Sequence, residues 1–446
     1  MSKRKIILNA FHPSSEATNP YSFAGRKKEI LSLTDSLIID GSCPIIYGKR
    51  GLGKSSLAIQ LERIALGDVE LLEDIGFSNR ALSEHDRYIT LRIACSDSIK
   101  NIDDLFNRLI NQGEGYLSLD DLYIEGNLIE EVTKRSLKLK FFESEIQKKY
   151  QIKYSKLSIE EKFKEILSNI CEIKNCKVLI IIDELDQVKS TKGLGSFIKN
   201  ESSRFIKFVL VGVAQNISDL LIDHESLERF VYPVHIERMS YDELAQIIEK
   251  VVRFINKEGI NVDFKPEAIN LIVISAAGFP WFVHVLGQES LRIAIDNRRT
   301  LVNEKDVQTA ISGLADNRFA QQFSDTYQLA VRDSYPREIM LRLLSKWYED
   351  DISLKHIYLI AKKLGVEQPS VYANHLRQEM YGQIIVKPSF LKKGVVRFKN
   401  AIFKRYVDLR NSLYTGVKED VDKIWEELLS EGNNEDSMFR KYLYKL

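Results

Sequence analysis

The stretch IIYGKRGLGKSSLAIQ, Ile45 to Gln60, sets three glycines and two lysines between an apolar run and an apolar-periodic segment. Gly48, Gly53, Lys54 and Ser55 meet the spacing G-x-x-x-x-G-K-[S/T] of a phosphate-binding P-loop. Glycines let the chain wrap so that successive N–H groups point inward, and the helix that follows offers its positive end to the same anion. Gly48, Lys49, Arg50, Gly51, Leu52 and Gly53, with Lys54, Ser55 and Ser56, are therefore the candidate cradle for the phosphates of ATP. Lys54 would reach the β and γ phosphates, and the Ser55 hydroxyl would ligate Mg²⁺. A glycine-rich turn that merely contains a lysine looks the same locally, so the context decides.

That context is a series of apolar runs alternating with helical patterns. Pro44–Tyr47, YITLRIA (Tyr88–Ala94), Val178–Ile182, FVLVGVA (Phe208–Ala214) and YPVHI (Tyr232–Ile236) read as strands. Strands that alternate with helices predict a doubly wound α/β sheet. The run Val178–Ile182 has no polar face, as a buried parallel strand requires, and it ends in Asp183-Glu184. Strand ends are where α/β sheets place ligand chemistry. Asp183 would hold Mg²⁺ through water, and Glu184 would orient and polarise the attacking water. Two acids capping the next helix is the bland alternative for either residue alone.

A length of 446 residues predicts about three domains, and 44% apolar with 28% charged residues is ordinary for a chain that buries a sizeable core. The formal net charge of +1 conceals an asymmetry. From Arg337 to Arg410 there are 15 Lys/Arg against 7 Asp/Glu, a basic module suited to phosphate backbones. Cys43, Cys95, Cys171 and Cys176 are too scattered for a disulfide framework and lack a zinc-site spacing, which predicts a reducing, cytoplasmic setting. MSKRKIILNAF begins basic, but its apolar stretch is too short for a signal peptide, and no run approaches a membrane span, so no membrane partner is expected.

After Arg238 the strand signals stop, and Ser240–Gly313 reads as a helical bundle broken at AAGFPW. From about Tyr335 the order becomes helix, helix–turn–helix and β-ribbon: PREIMLRLLSKW, SLKHIYLIAKKLG, PSVYANHLRQEMYG, then QIIVKPSF and GVVRFKN. That order describes a winged helix. On duplex DNA its third helix would expose Ser370, Tyr372, Asn374 and Arg377 to the major groove. Lys387, Lys392, Lys393 and Arg397 on the wing would meet phosphates or a minor groove. The acidic tail is helical and amphipathic around Trp425, fit to dock on its own chain or on a partner.

Taken together, FAGRKKEI, the P-loop, the Asp183-Glu184 strand end and the basic C-terminal module resemble the AAA+ and STAND branch of P-loop ATPases, most closely the origin-recognition-like group. The resemblance runs from FAGRKKEI to about Tyr406. It implies that the box Phe23, Gly25, Arg26 and Glu29 packs near the adenine. It further implies a polar sensor residue at Asn216, with Gln215 the runner-up. It puts a trans-acting arginine finger at Arg229, in a place where an ordinary surface arginine at a helix end is the alternative. The group's lid often carries a sensor arginine where this chain has Trp281. Gly278-Phe279-Pro280 instead matches the G-x-P signature of STAND ATPases, whose proline packs on the base, which adds Pro280 to the site and predicts slow turnover.

The implied architecture is an N-terminal arm (1–20), a P-loop α/β core (21–238) with a helical insertion (101–157), an all-helical lid (239–315), a winged-helix domain (316–410) and an acidic helical tail (411–446). The implied function is that of an oligomerising ATPase that contacts duplex DNA. The alternative is a nucleotide-state signalling switch that gates an effector protein, as in a defence system.

Overall fold

The computed structural model describes residues 3–112, 157–174, 176–347, 349–387 and 393–431. Most of the charged insertion, Lys392 and the end of the acidic tail lie outside the described residues. The chain divides into two compact units, Glu16–Met239 and Met1–Ser15 with Ser240–Leu446.

The first unit is built on five parallel strands: β1 (Cys43–Gly48), β2 (Tyr88–Ala94), β3 (Lys177–Asp183), β4 (Ile206–Val213) and β5 (Val231–Ile236), in the order β2-β3-β4-β1-β5. All five runs read as strands in the sequence are strands, shifted by at most two residues at an end. The strand β3 is buried on both faces, as its unbroken apolar run requires. Ile45, Ile180, Ile182, Phe208 and Leu210 fill one side with Phe106, Phe163 and Phe197 from the covering helices. There Phe106 packs 4.5 Å from Phe197 and 4.9 Å from Phe163, ring centre to ring centre. At the outer edge, Pro233 removes one N–H from β5, which blunts that edge against further pairing.

The other face holds an unexpected charge. Lys207 on β4 is 1% exposed, and its ammonium donates to the Ser36 and Ile39 carbonyls (2.9 and 2.6 Å) and to the Ser42 hydroxyl (2.9 Å). Those acceptors lie at and just beyond the last turn of the helix α2 (Lys27–Ile38), where carbonyls have no helical partner. Burial pushes this lysine down to about 8. Lys207→Met should keep the volume but remove three buried hydrogen bonds, leaving the Ser36 and Ile39 carbonyls to their bonds from Ser42, at a cost of about 2–3 kcal/mol. Differential scanning calorimetry should show the corresponding transition about 5–10 °C lower, and an unchanged transition would show that the acceptors find other donors.

The second unit starts within the N-terminal arm, which contains a helix, α1 (Lys3–Ala10), followed by a buried Phe11. Phe11 lies against Gly287, where an added Cβ would meet its ring at 2.5 Å. The helices Tyr241–Lys257, Pro266–Ala276, Pro280–Asp296 and Glu304–Ser312 form the bundle expected from Ser240 to Gly313. Two-residue strands β6 (Asp263–Phe264) and β7 (Leu301–Val302), which pair in parallel, interrupt it and were not foreseen.

Further along, the helix Tyr335–Lys346 precedes β8 (Ile352–Ser353), the helices Leu354–Lys363 and Pro369–His375, and the strands β9 (Ile385–Val386) and β10 (Val395–Phe398). The three strands pair antiparallel in the order β8-β10-β9. The third helix is shorter than PSVYANHLRQEMYG predicts, so Arg377 lies beyond its end. Of the tail, Val417–Glu431 is helical and docks on its own unit. Lys346 pairs with Asp408 and Asp422 (both 2.6 Å), and Trp425 meets Trp347 edge to face.

Candidate active site

The P-loop connects the C-terminal end of β1 to the helix α3 (Lys54–Ala65). Gly48 is the tightest point, with φ 148° and room for no side chain, because an added Cβ would sit 2.4 Å from the Ile236 carbonyl oxygen. Gly51 and Gly53 take φ of 80° and 87°, left-handed values that turn the loop back over the start of α3. The helix then directs its unpaired first N–H groups at the concavity.

Lys54 is 7% exposed and donates from Nζ to the Lys49 carbonyl at 2.7 Å. Burial pushes its ammonium down to about 8, against the pull of Asp186, Asp183 and Glu184. Asp183, at the end of β3, is 4% exposed and lies beside Ser55. Burial raises its carboxyl above the ordinary range, with Ser55 and the Glu184 N–H (2.7 Å) pulling the other way. Ser55 and Asp183, 128 positions apart in the chain, thus meet at one point. A hydroxyl beside a buried carboxylate is a hard-oxygen pair that suits Mg²⁺, which would also offset the burial of the acid. Among the described residues no group of three or more His, Cys, Asp or Glu gathers as a metal site, and Cys171 and Cys176 instead direct their thiols at backbone carbonyls.

Glu184 follows at φ 53°, a left-handed conformation that is rare for a residue with a side chain. Its carboxyl is raised above the usual value, first by burial and then by Asp183 and Asp186, while Arg50 in the loop opposes the shift. Glu16 adds a further negative charge nearby. The segment that carries Glu16 is tied to α3, since Ala17 donates to the Ser56 hydroxyl (3.0 Å) and its carbonyl accepts from Gln60 (2.8 Å). Ser56 is thus occupied in holding that strap.

Because β4 lies between β1 and β3, its end emerges between the P-loop and the two acids. Asn216 and Gln215 are both exposed three and two residues past that end, with their N–H groups on the Asp219 carboxylate. Asp186, which the sequence reading passed over, locks this arrangement: its carboxylate accepts from the Val213 N–H at 2.7 Å and binds the acid turn to β4. The acidic spacing Asp183, Glu184, Asp186 was the available signal.

Arg26 is 5% exposed, and its guanidinium donates to the carbonyls of Leu52 (3.1 Å) and Glu237 (2.7 Å) and pairs with Glu29 (3.2 Å). It fastens the P-loop to the residue after β5. Arg229 is exposed just before β5. Pro280 opens the helix Pro280–Asp296 in the other unit, and the adjacent Trp281 donates its indole N–H to the Pro13 carbonyl at 2.8 Å and packs edge-on against Phe323.

In the basic module, Ser370, Asn374 and Arg377 are exposed and Tyr372 is half-buried. Lys387 and Lys393 are exposed at the two described ends of the wing, and Lys392 lies outside the described residues. Arg397 faces Asp351 in an ion pair, so its charge is balanced within the unit. The excess of basic residues is also partly internal, because Arg337, Arg342, Lys404 and Arg410 are buried.

No family model and no curated protein matches the chain. Among solved structures it is similar to the ORC2 protein of Aeropyrum pernix, at 16% identity over 91% of this chain and 95% of that one, with a TM-score of 0.43. It is likewise similar to Cdc6p of Pyrobaculum aerophilum (12% identity, 95% and 98% covered, TM-score 0.42). A third is the RuvB Holliday junction branch migration motor of Thermotoga maritima (15% identity, 84% and 93% covered, TM-score 0.39). The fold itself rests on this chain's own features: a five-stranded parallel sheet, a P-loop between β1 and α3, and an acidic pair ending β3.

Proposed function

We propose that this chain is an ATP-hydrolysing switch of the AAA+ type that assembles with copies of itself and contacts duplex DNA. The observation that carries the ATPase reading is the meeting of the P-loop with the acidic strand end, where Ser55 and Lys54 both lie close enough to the buried Asp183 to act on its carboxyl. ATP phosphates would lie in the glycine loop with Lys54 facing the β and γ groups. Ser55 and Asp183 would hold Mg²⁺, which when bound supplies charge neutralisation at the phosphates. Glu184, with its raised carboxyl affinity for protons, would accept a proton from the attacking water. Arg26 and Asp186 would act as positioning residues. Arg26 holds the loop, and Asp186 holds the sensor segment.

The DNA reading is supported by exposed cations on the module of three helices and three short strands, which we read as a winged helix. Lys387 and Lys393 flank the wing, and Arg377 follows the short helix that carries Ser370 and Asn374. Replacing Arg377, Lys387 and Lys393 with Gln should weaken binding to a duplex oligonucleotide and lower the slope of log affinity against log salt by about 3. Fluorescence anisotropy across a salt series measures both. Unchanged affinity and slope would remove DNA from the reading.

A second reading, a nucleotide-state switch that gates an effector protein, is supported by Trp281. The indole is tied to Pro13 and Phe323 at the position where the resembled group often carries a sensor arginine. A turnover that stays slow in the presence of DNA would favour it.

A further inference from the structure

Within the second unit, a cavity of about 470 Å³ opens beside the N-terminal segment, and Lys5, His12, Ser14, Ser15, Gln288 and Arg318 line it. We propose that this cavity binds a ring-bearing phosphomonoester of about mononucleotide size, at a site separate from the P-loop. The proposal does not depend on ATP binding at the P-loop.

Charge comes first. Among the described lining residues, Lys5 and Arg318 are cationic and none is Asp or Glu. A phosphomonoester holds about −1.5 to −2 at neutral pH, which matches that pair. Arg318 is exposed at the mouth, yet its guanidinium lies over the Phe319 ring, 4.7 Å from the centroid, which limits where the charge can sit.

Hydrogen bonding and shape follow. Ser14 and Ser15 are exposed hydroxyls beside the cations, and the Gln288 side chain is 6% exposed and lines the same space. A phosphate has three oxygens to satisfy, and a sugar has further hydroxyls. Phe11 and Phe319 add apolar walls that suit a ring. The volume falls within the range of about 300–1,000 Å³ typical of small-molecule sites and exceeds what a bare phosphate needs. The wall is rigid, since Phe11 is wedged on Gly287, and the His12 N–H donates to Nδ1 of His284 at 3.3 Å. His284 is buried, and burial, reinforced by His12, pushes its imidazole down to about 3, so it stays a neutral acceptor.

The test is calorimetric titration of the four ribonucleoside 5′-monophosphates, and separately of inorganic phosphate, into the full chain carrying Lys54→Ala, which silences the P-loop. At least one monophosphate should bind with one equivalent per chain and about tenfold or more tighter than inorganic phosphate. Adding Lys5→Ala and Arg318→Ala, both surface changes, should weaken that binding by about a hundredfold, tenfold for each lost charge-assisted contact. No binding of any monophosphate at millimolar concentration, or an affinity untouched by the two substitutions in a chain whose circular dichroism is unchanged, would overturn the assignment. Equal affinity for inorganic phosphate would overturn the ring-binding part.

Discussion

Lys54→Ala is expected to raise the dissociation constant for ATP by at least about a hundredfold, because it removes an ammonium buried against the loop proposed to receive the β and γ phosphates. Its pH dependence should carry a signature. The free ammonium titrates at about 8, since burial disfavours its charge, and a bound triphosphate would raise that value. ATP binding should therefore weaken as pH rises above 8, and binding near pH 8 should take up protons. Calorimetry in buffers of different ionisation enthalpy reads that uptake directly. Glu184→Gln should part from Lys54→Ala. It keeps Ser55, Asp183 and the loop but cannot accept a proton, so ATP should bind as in the parent while phosphate release slows by about 10²–10⁴-fold. Normal turnover in Glu184→Gln would assign the base elsewhere.

The features that were legible beforehand are those written into consecutive residues. A P-loop is a glycine pattern, and its glycines have the positive φ that the pattern implies. The strands β1 to β5 are apolar runs long enough to show. What escaped depends on long-range geometry. Strands of two residues such as β6, β7 and β8 have no periodicity to read. Nothing local marks Lys207 or Arg26 as buried, because their partners are carbonyls from distant segments. The charge count from Arg337 to Arg410 overstated the surface for the same reason: Arg342 donates to the carbonyls of Val407 and Arg410, and Arg337 to that of Val331. Asp186 was passed over because its role is to accept one N–H from the neighbouring strand.

The largest effect is expected at Arg229, and sheet geometry is what separates this residue from its own nucleotide. The strands β1 and β5 run parallel, with Cys43 opposite Val231 and Gly48 opposite Ile236. The P-loop leaves from the Gly48 end, whereas Arg229 precedes Val231 at the other end. Arg229 sits in the turn before β5, and the strand from Val231 to Ile236 spans roughly 17 Å at about 3.3 Å per residue. An arginine side chain cannot span that, so any role in catalysis must be played on a neighbouring subunit. An arginine finger supplied in trans stabilises charge on the transferring phosphoryl group and is worth roughly three to five orders of magnitude in rate. Arg229→Ala should therefore keep ATP binding and lose turnover by that factor. Mixing it with Glu184→Gln should restore part of the activity, because the Arg229→Ala subunit supplies an intact water-activating site and its neighbour supplies the finger. Turnover per subunit should also fall on dilution as assemblies dissociate. If activity per subunit instead stays constant into demonstrably monomeric solution, and the mixed variants stay inactive, the shared site is refuted and Arg229 is a surface residue at the mouth of β5.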